Sequence, residues 1–123
     1  WLLDVAHNPA AAAALAASLR QQQAPASVAI VGILDDKDVE GIIRPLAVFV
    51  DNWIAVTAAS PRAIDAAELA RRVANATGKA CLSADSPDTA IERARAMSGS
   101  GNVLVTGSFF TVGPVLERLS ARD

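Results

Sequence analysis

Five short runs of β-branched and aliphatic residues alternate along this chain with longer Ala/Leu-rich segments, and that alternation restricts the fold more than any other feature. A strand that must be followed by another in the same direction needs a crossover, so the pattern is that of a parallel sheet covered by helices. The apolar runs are Trp1 to Leu3, Val28 to Leu34, Trp53 to Thr57, Ala80 to Leu82 and Val103 to Thr106, the fourth being the weakest. Between them, Ala10 to Arg20 has high intrinsic helix propensity. Val39, Ile42, Ile43 and Leu46 form one apolar stripe at the i, i+3, i+4, i+7 spacing of a helix packed on a sheet, with Pro45 in its last turn. Asn8-Pro9 and Ser86-Pro87 each join a capping side chain to a proline at the first helical position. Asp65 and Glu68 suggest a capping box ahead of Leu69 and Val73, and Thr111 is the expected cap of a last helix through Val115, Leu116 and Leu119. Gln21 to Ser27 and Ser98 to Gly101 read as surface connections. The sequence thus predicts a Rossmann-like α/β three-layer sandwich in one domain over 1–123, with a mostly parallel sheet of five or six strands and helices on both faces.

Composition bounds the partners. The 123 residues carry 11 basic and 13 acidic side chains for a net charge of -2, with no Lys/Arg cluster. Nucleic acid is not expected as a partner, because non-specific binding needs a basic face that displaces counterions. No segment reaches the roughly 18 apolar residues of a membrane span, and the first residues lack a basic leader, so a cytoplasmic location is expected and no membrane partner. Cys81 has no second cysteine to pair with and reads as a buried structural thiol. Trp1 and Trp53 belong to apolar runs and read as core or interface residues.

In an open parallel sheet, ligands bind beyond the carboxyl ends of the strands, and those positions are polar here. Asp4, His7 and Asn8 follow the first run, Asp35-Asp36-Lys37-Asp38 the second, Ser60-Pro61-Arg62 the third and Gly107-Ser108 the fifth. Each also has a plain structural reading. Asp4 can end a strand, a lone histidine before a helix can be a surface residue, Asn8 is explained by capping, Ser108 by a turn, and the Asp/Lys run by solvation and capping of the next helix.

Three stretches in order, Leu3-Asp4-Val5-Ala6-His7-Asn8-Pro9, Gly32-Ile33-Leu34-Asp35-Asp36-Lys37-Asp38 and Val105-Thr106-Gly107-Ser108-Phe109-Phe110-Thr111-Val112, resemble motifs of bacterial bifunctional folylpolyglutamate synthase/dihydrofolate synthase. The resemblance is to the C-terminal domain of that family, a unit shared with the Mur peptidoglycan ligases. It implies part of an ATP-dependent ligase that adds L-glutamate to dihydropteroate or folates through an acyl phosphate. It also implies that Asp4, His7 and Asn8 serve the ATP side, that His7 and Ser108 are catalytic, and that Ser108, Arg62 and Lys37 bind substrate. No Gly-x-x-x-x-Gly-Lys-Ser/Thr loop and no metal-ligand spacing are present, so the phosphate loop and the magnesium ligands are expected in an N-terminal ATPase domain of the same protein. The chain reads as a fragment of that longer ligase, inactive alone. Two departures stand out: Phe110 replaces a frequent family histidine, and the arginine that contacts nucleotide upstream is missing. A Mur-type ligase acting on a cell-wall precursor and a non-catalytic α/β ligand-binding module are the competing expectations.

Overall fold

The computed structural model describes residues 1–23 and 25–122. Its elements alternate as the sequence requires: β1 (Leu2–Asp4), α1 (Pro9–Gln22), β2 (Ala26–Gly32), α2 (Val39–Ala47), β3 (Val50–Ala55), α3 (Ala66–Thr77), β4 (Cys81–Ser83), α4 (Pro87–Ser98), β5 (Asn102–Gly107) and α5 (Phe109–Arg122). The five strands form one sheet in the order β1-β5-β2-β3-β4, and every pairing is parallel. The chain steps outward from β2 through β3 to β4, then reverses to place β5 between β1 and β2. Because parallel crossovers keep one hand, that reversal sends α4 to the other face of the sheet.

Alternation within the strands divides the core accordingly. Ala29, Val31, Trp53, Ala55 and Leu104 pack with Leu15 and Leu19 of α1, Ile42, Ile43 and Leu46 of α2, and Leu69 and Val73 of α3. The intervening positions Val28, Ile30, Ile54, Val103 and Val105 pack with Ile91 and Ala94 of α4 and Val112 and Val115 of α5. The central strands are therefore apolar on both faces, which is why they read as continuous runs in the sequence. Trp53 lies in the first cluster and is buried, whereas Trp1 is half-exposed at the sheet edge, with the Arg95 guanidinium 5.8 Å from its ring.

Local signals set most helix starts. Asn8 accepts from Ala11 N at 2.8 Å, Asp38 from Gly41 N at 3.0 Å and Ser86 from Thr89 N at 3.1 Å. Three expectations need correction. Ser108, not Thr111, caps α5, its hydroxyl accepting from Phe110 N at 2.9 Å. The box at α3 is half made: Asp65 accepts from Ala67 N at 3.1 Å, while Glu68 turns outward to Arg71. The connection over 21–27 is shorter than expected, since α1 continues through Gln22 and β2 begins at Ala26.

Candidate functional site

The strand registers fix which polar residues share a rim. Asp4 lies opposite Thr106, Val31 opposite the same Thr106, and Gly32 opposite Gly107, so β1, β2 and β5 finish level with one another. The loops that leave them enclose a cleft of about 210 Å³ lined by Val5, His7, Ile33, Leu34, Lys37, Ser108, Phe109 and Phe110. His7, Lys37 and Ser108 are thus brought together from positions 7, 37 and 108 by the order of the strands. These three polar residues lie in a mainly apolar wall. In such surroundings a fixed donor interacts with an anion more strongly than it would in open water.

Ser108 is held by an interlocked turn. Gly107 adopts φ +108°, and a Cβ there would overlap the carbonyl oxygen of Gly32. That oxygen accepts from Ser108 N at 2.9 Å and from the buried Thr111 hydroxyl at 3.1 Å. A Cβ on Gly32 would in turn overlap Thr111 Oγ1, so the two glycines are what let β2 and the start of α5 approach so closely. Ser108 is buried, as is Thr111.

The far wall is tied down from the segment after β3. Pro114 has no N–H to donate four residues back, which leaves the Phe110 carbonyl open within α5, and Ala59 N donates to it at 3.0 Å. Phe109 and Phe110 sit edge to face, 6.2 Å between ring centres, and both are exposed on the rim. This use of Pro114 escaped the sequence reading, although a proline four residues after Phe110, the second aromatic of the helix, was its visible signal.

The remaining predicted residues sit nearby with other partners. Asn8 spends its side-chain oxygen on capping α1. Asp4 is exposed on the same rim and borders a neighbouring recess between β1 and α1, with Leu15, Ser18 and Gln22. Arg62 does not line the cleft: its guanidinium pairs with Asp36 and lies 4.0 Å from Asp35. Backbone bonds from Asp35 N to Arg62 O at 2.7 Å and from Ile64 N to Ile33 O at 3.0 Å join the same two loops. The acidic run is therefore divided, with Asp38 capping α2, Asp35 and Asp36 meeting Arg62, and Lys37 lining the cleft with its Nζ 4.0 Å from Asp36.

A larger recess of about 440 Å³ lies beyond β3 and β4, lined by Thr57, Asp65, Ser83, Asp85 and Arg93 among others. Several of its polar groups are engaged with the fold: Thr57 accepts from Ala66 N, Asp65 from Ala67 N, and Arg93 donates to Ser83 O at 2.7 Å. Cys81, on edge strand β4, is half-buried, and burial pushes its thiol up to about 11 against a weaker opposing hydrogen bond from the Ala55 backbone. Such a thiol is a poor nucleophile near neutrality. Among the described residues no group of three or more His, Cys, Asp or Glu is arranged to hold a metal ion, and no helix is long and apolar enough to cross a membrane.

Comparison with known proteins agrees with this architecture. The family model described as "Mur ligase, glutamate ligase domain" matches residues 1–109. The dihydrofolate synthase/folylpolyglutamate synthase of Escherichia coli is 37% identical over 123 residues, covering 98% of this chain and 28% of the relative. Among solved structures, Mycobacterium tuberculosis folylpolyglutamate synthase complexed with ADP superposes with a TM-score of 0.85 at 32% identity, covering 98% of this chain and 29% of that one. Escherichia coli FolC in complex with DHPP and ADP gives 0.82 at 36% identity, covering 97% and 28%. The chain spans less than a third of the length of these relatives. From residues 1 to 109, then, it belongs to the Mur ligase family and corresponds to its glutamate ligase domain.

Proposed function

We propose that this domain is the C-terminal lobe of an ATP-dependent ligase that joins the amino group of L-glutamate to a carboxylate of dihydropteroate or a folate. The observation that carries the reading is the meeting of His7, Lys37 and Ser108 in one cleft at the ends of β1, β2 and β5. Its volume of about 210 Å³ falls below the roughly 300–1,000 Å³ of a complete ligand pocket, which suits one wall of a site closed by a second lobe. The low coverage of the relatives supports the same division, with an ATPase lobe supplied upstream.

In the proposed reaction, ATP transfers its γ-phosphoryl group to the acceptor carboxylate, releasing ADP and leaving an acyl phosphate. The glutamate amine attacks the acyl carbon, the C–N bond forms, a proton is lost from nitrogen and inorganic phosphate departs. The chain's contribution is positioning and charge compensation. Lys37 balances anionic oxygen in the cleft, and His7 donates a hydrogen bond to phosphate or to the glutamate carboxylate. The Ser108 oxygen accepts from Phe110 N, so its own proton is directed to a ligand oxygen. Asp4, on the same rim, accepts from nucleotide hydroxyls, with Asn8 holding the adjacent helix start. Among the described residues no group of His, Cys, Asp or Glu is arranged to hold magnesium, and its ligands are assigned to the other lobe, as is the phosphate loop.

ADP release by the full-length protein tests the reading. Turnover is expected to require ATP, L-glutamate and either dihydropteroate or a reduced folate, with this domain inactive when expressed alone. Turnover that instead required a cell-wall peptide precursor would overturn it in favour of a Mur-type peptidoglycan ligase. Tight nucleotide or amino-acid binding without turnover on any acceptor would replace it with a binding module.

A further inference from the structure

Two buried threonines approach the rim, and they differ in what their hydroxyls do. Thr106 Oγ1 finds no hydrogen-bond partner among the described residues, whereas Thr111 Oγ1 reaches across 79 positions of sequence to the Gly32 carbonyl at 3.1 Å. That carbonyl is also the acceptor for Ser108 N at 2.9 Å. Gly32 leads directly into the segment that carries Ile33, Leu34 and, five positions on, Lys37 of the cleft, and Ser108 immediately precedes Phe109 and Phe110. One backbone oxygen thus fastens together the loops that carry the ammonium and the hydroxyl.

We propose that Thr111 is a positioning residue: by donating to the Gly32 carbonyl from inside α5, it sets the separation of Ser108 from Lys37 across the cleft. The inference rests on the reading that Ser108 and Lys37 bind glutamate or phosphate. Thr111 itself touches no ligand, since it is buried beneath the turn and absent from the cleft wall. Its hydroxyl is the feature that matters, because the methyl group only fills space that valine fills equally. Removing the donor leaves a methyl against a carbonyl oxygen in a buried site, and the two loops move apart.

The test compares Thr111→Val, Thr111→Ser and Thr106→Val in the full-length ligase. Hydrogen exchange at the Ser108 amide and the KM for L-glutamate are both measured. Thr111→Val is expected to speed exchange at Ser108 and raise the glutamate KM by about tenfold each, as the loss of one buried hydrogen bond implies, with the KM for ATP unchanged. Thr111→Ser keeps the donor and should behave as wild type, and so should Thr106→Val, which removes a hydroxyl of equal depth. Unchanged exchange in Thr111→Val overturns the fastening. Faster exchange with an unchanged glutamate KM, or an equal loss in all three variants, overturns the positioning role. If the wild-type protein has no glutamate-dependent turnover, the failure lies in the proposed function, and the exchange measurement alone decides whether Thr111 fixes the turn.

Discussion

Gly107 carries a conformational demand that no other residue type can meet. Its φ of +108° disfavours any side chain, and a Cβ would collide with the backbone of Gly32, which cannot rotate away as a side chain would. Gly107→Ala is therefore expected to cost about 3 kcal/mol of stability, read as a lowered midpoint in urea unfolding. A change below about 1 kcal/mol would show that the turn relaxes freely. Cys81 makes a different residue-level prediction. Its folded pKa near 11 lies above the ordinary thiol value of 9.0, so the protonated thiol is the form the fold favours. Its contribution is complete below pH 9 and lost as pH rises through 11, in the direction opposite to a salt-bridged carboxylate. Unfolding of wild type and Cys81→Ala at pH 8 and pH 11 checks this. The wild type should lose more stability between the two than the variant does, and equal losses would contradict it.

At the scale of elements, the site depends on loops being joined after the strands have placed them. The segment after β2 and the segment after β3 share the antiparallel bridge Leu34 to Ala63, backbone bonds on either side of it, and the Arg62–Asp36 pair at the surface. Exposed ion pairs contribute little on their own, so Arg62→Ala is expected to change stability by less than about 1 kcal/mol and to leave the glutamate KM unchanged. A large rise in that KM with ATP unaffected would instead place the guanidinium on the substrate. The starts of α1 and α4 were legible in the sequence because Asn8-Pro9 and Ser86-Pro87 act within one turn of chain. The start of α5 was misread for the opposite reason. Thr111 looks like a cap locally, but its hydroxyl is drawn to a carbonyl in β2, and Ser108 takes the capping role. The ion pairs of Arg62 were hidden for a related reason, since its acidic partners become neighbours only once β2 and β3 lie side by side.

On the scale of the whole molecule, the strand order does the selecting. Insertion of β5 between β1 and β2 is what brings three distant loops to one edge, and it leaves the more polar recess beyond β3 and β4 without His7 or Ser108 in its wall. The alternation of runs predicted the layers and the strand count, because burial of both sheet faces writes itself into composition. It did not dictate which polar strand ends would share a wall, which depends on order and register. Asp4 and Asn8 end near that wall, while His7, Lys37 and Ser108 form it. The most direct test of the account is the steady-state kinetics of ADP release by the full-length protein carrying His7→Ala, with ATP, L-glutamate and dihydropteroate or a reduced folate supplied. A fall in kcat/KM of about 100-fold or more with an unchanged unfolding midpoint is predicted, as expected when one preorganised donor is removed from a phosphoryl- or acyl-transfer site. Wild-type turnover and wild-type KM values in that variant would contradict it.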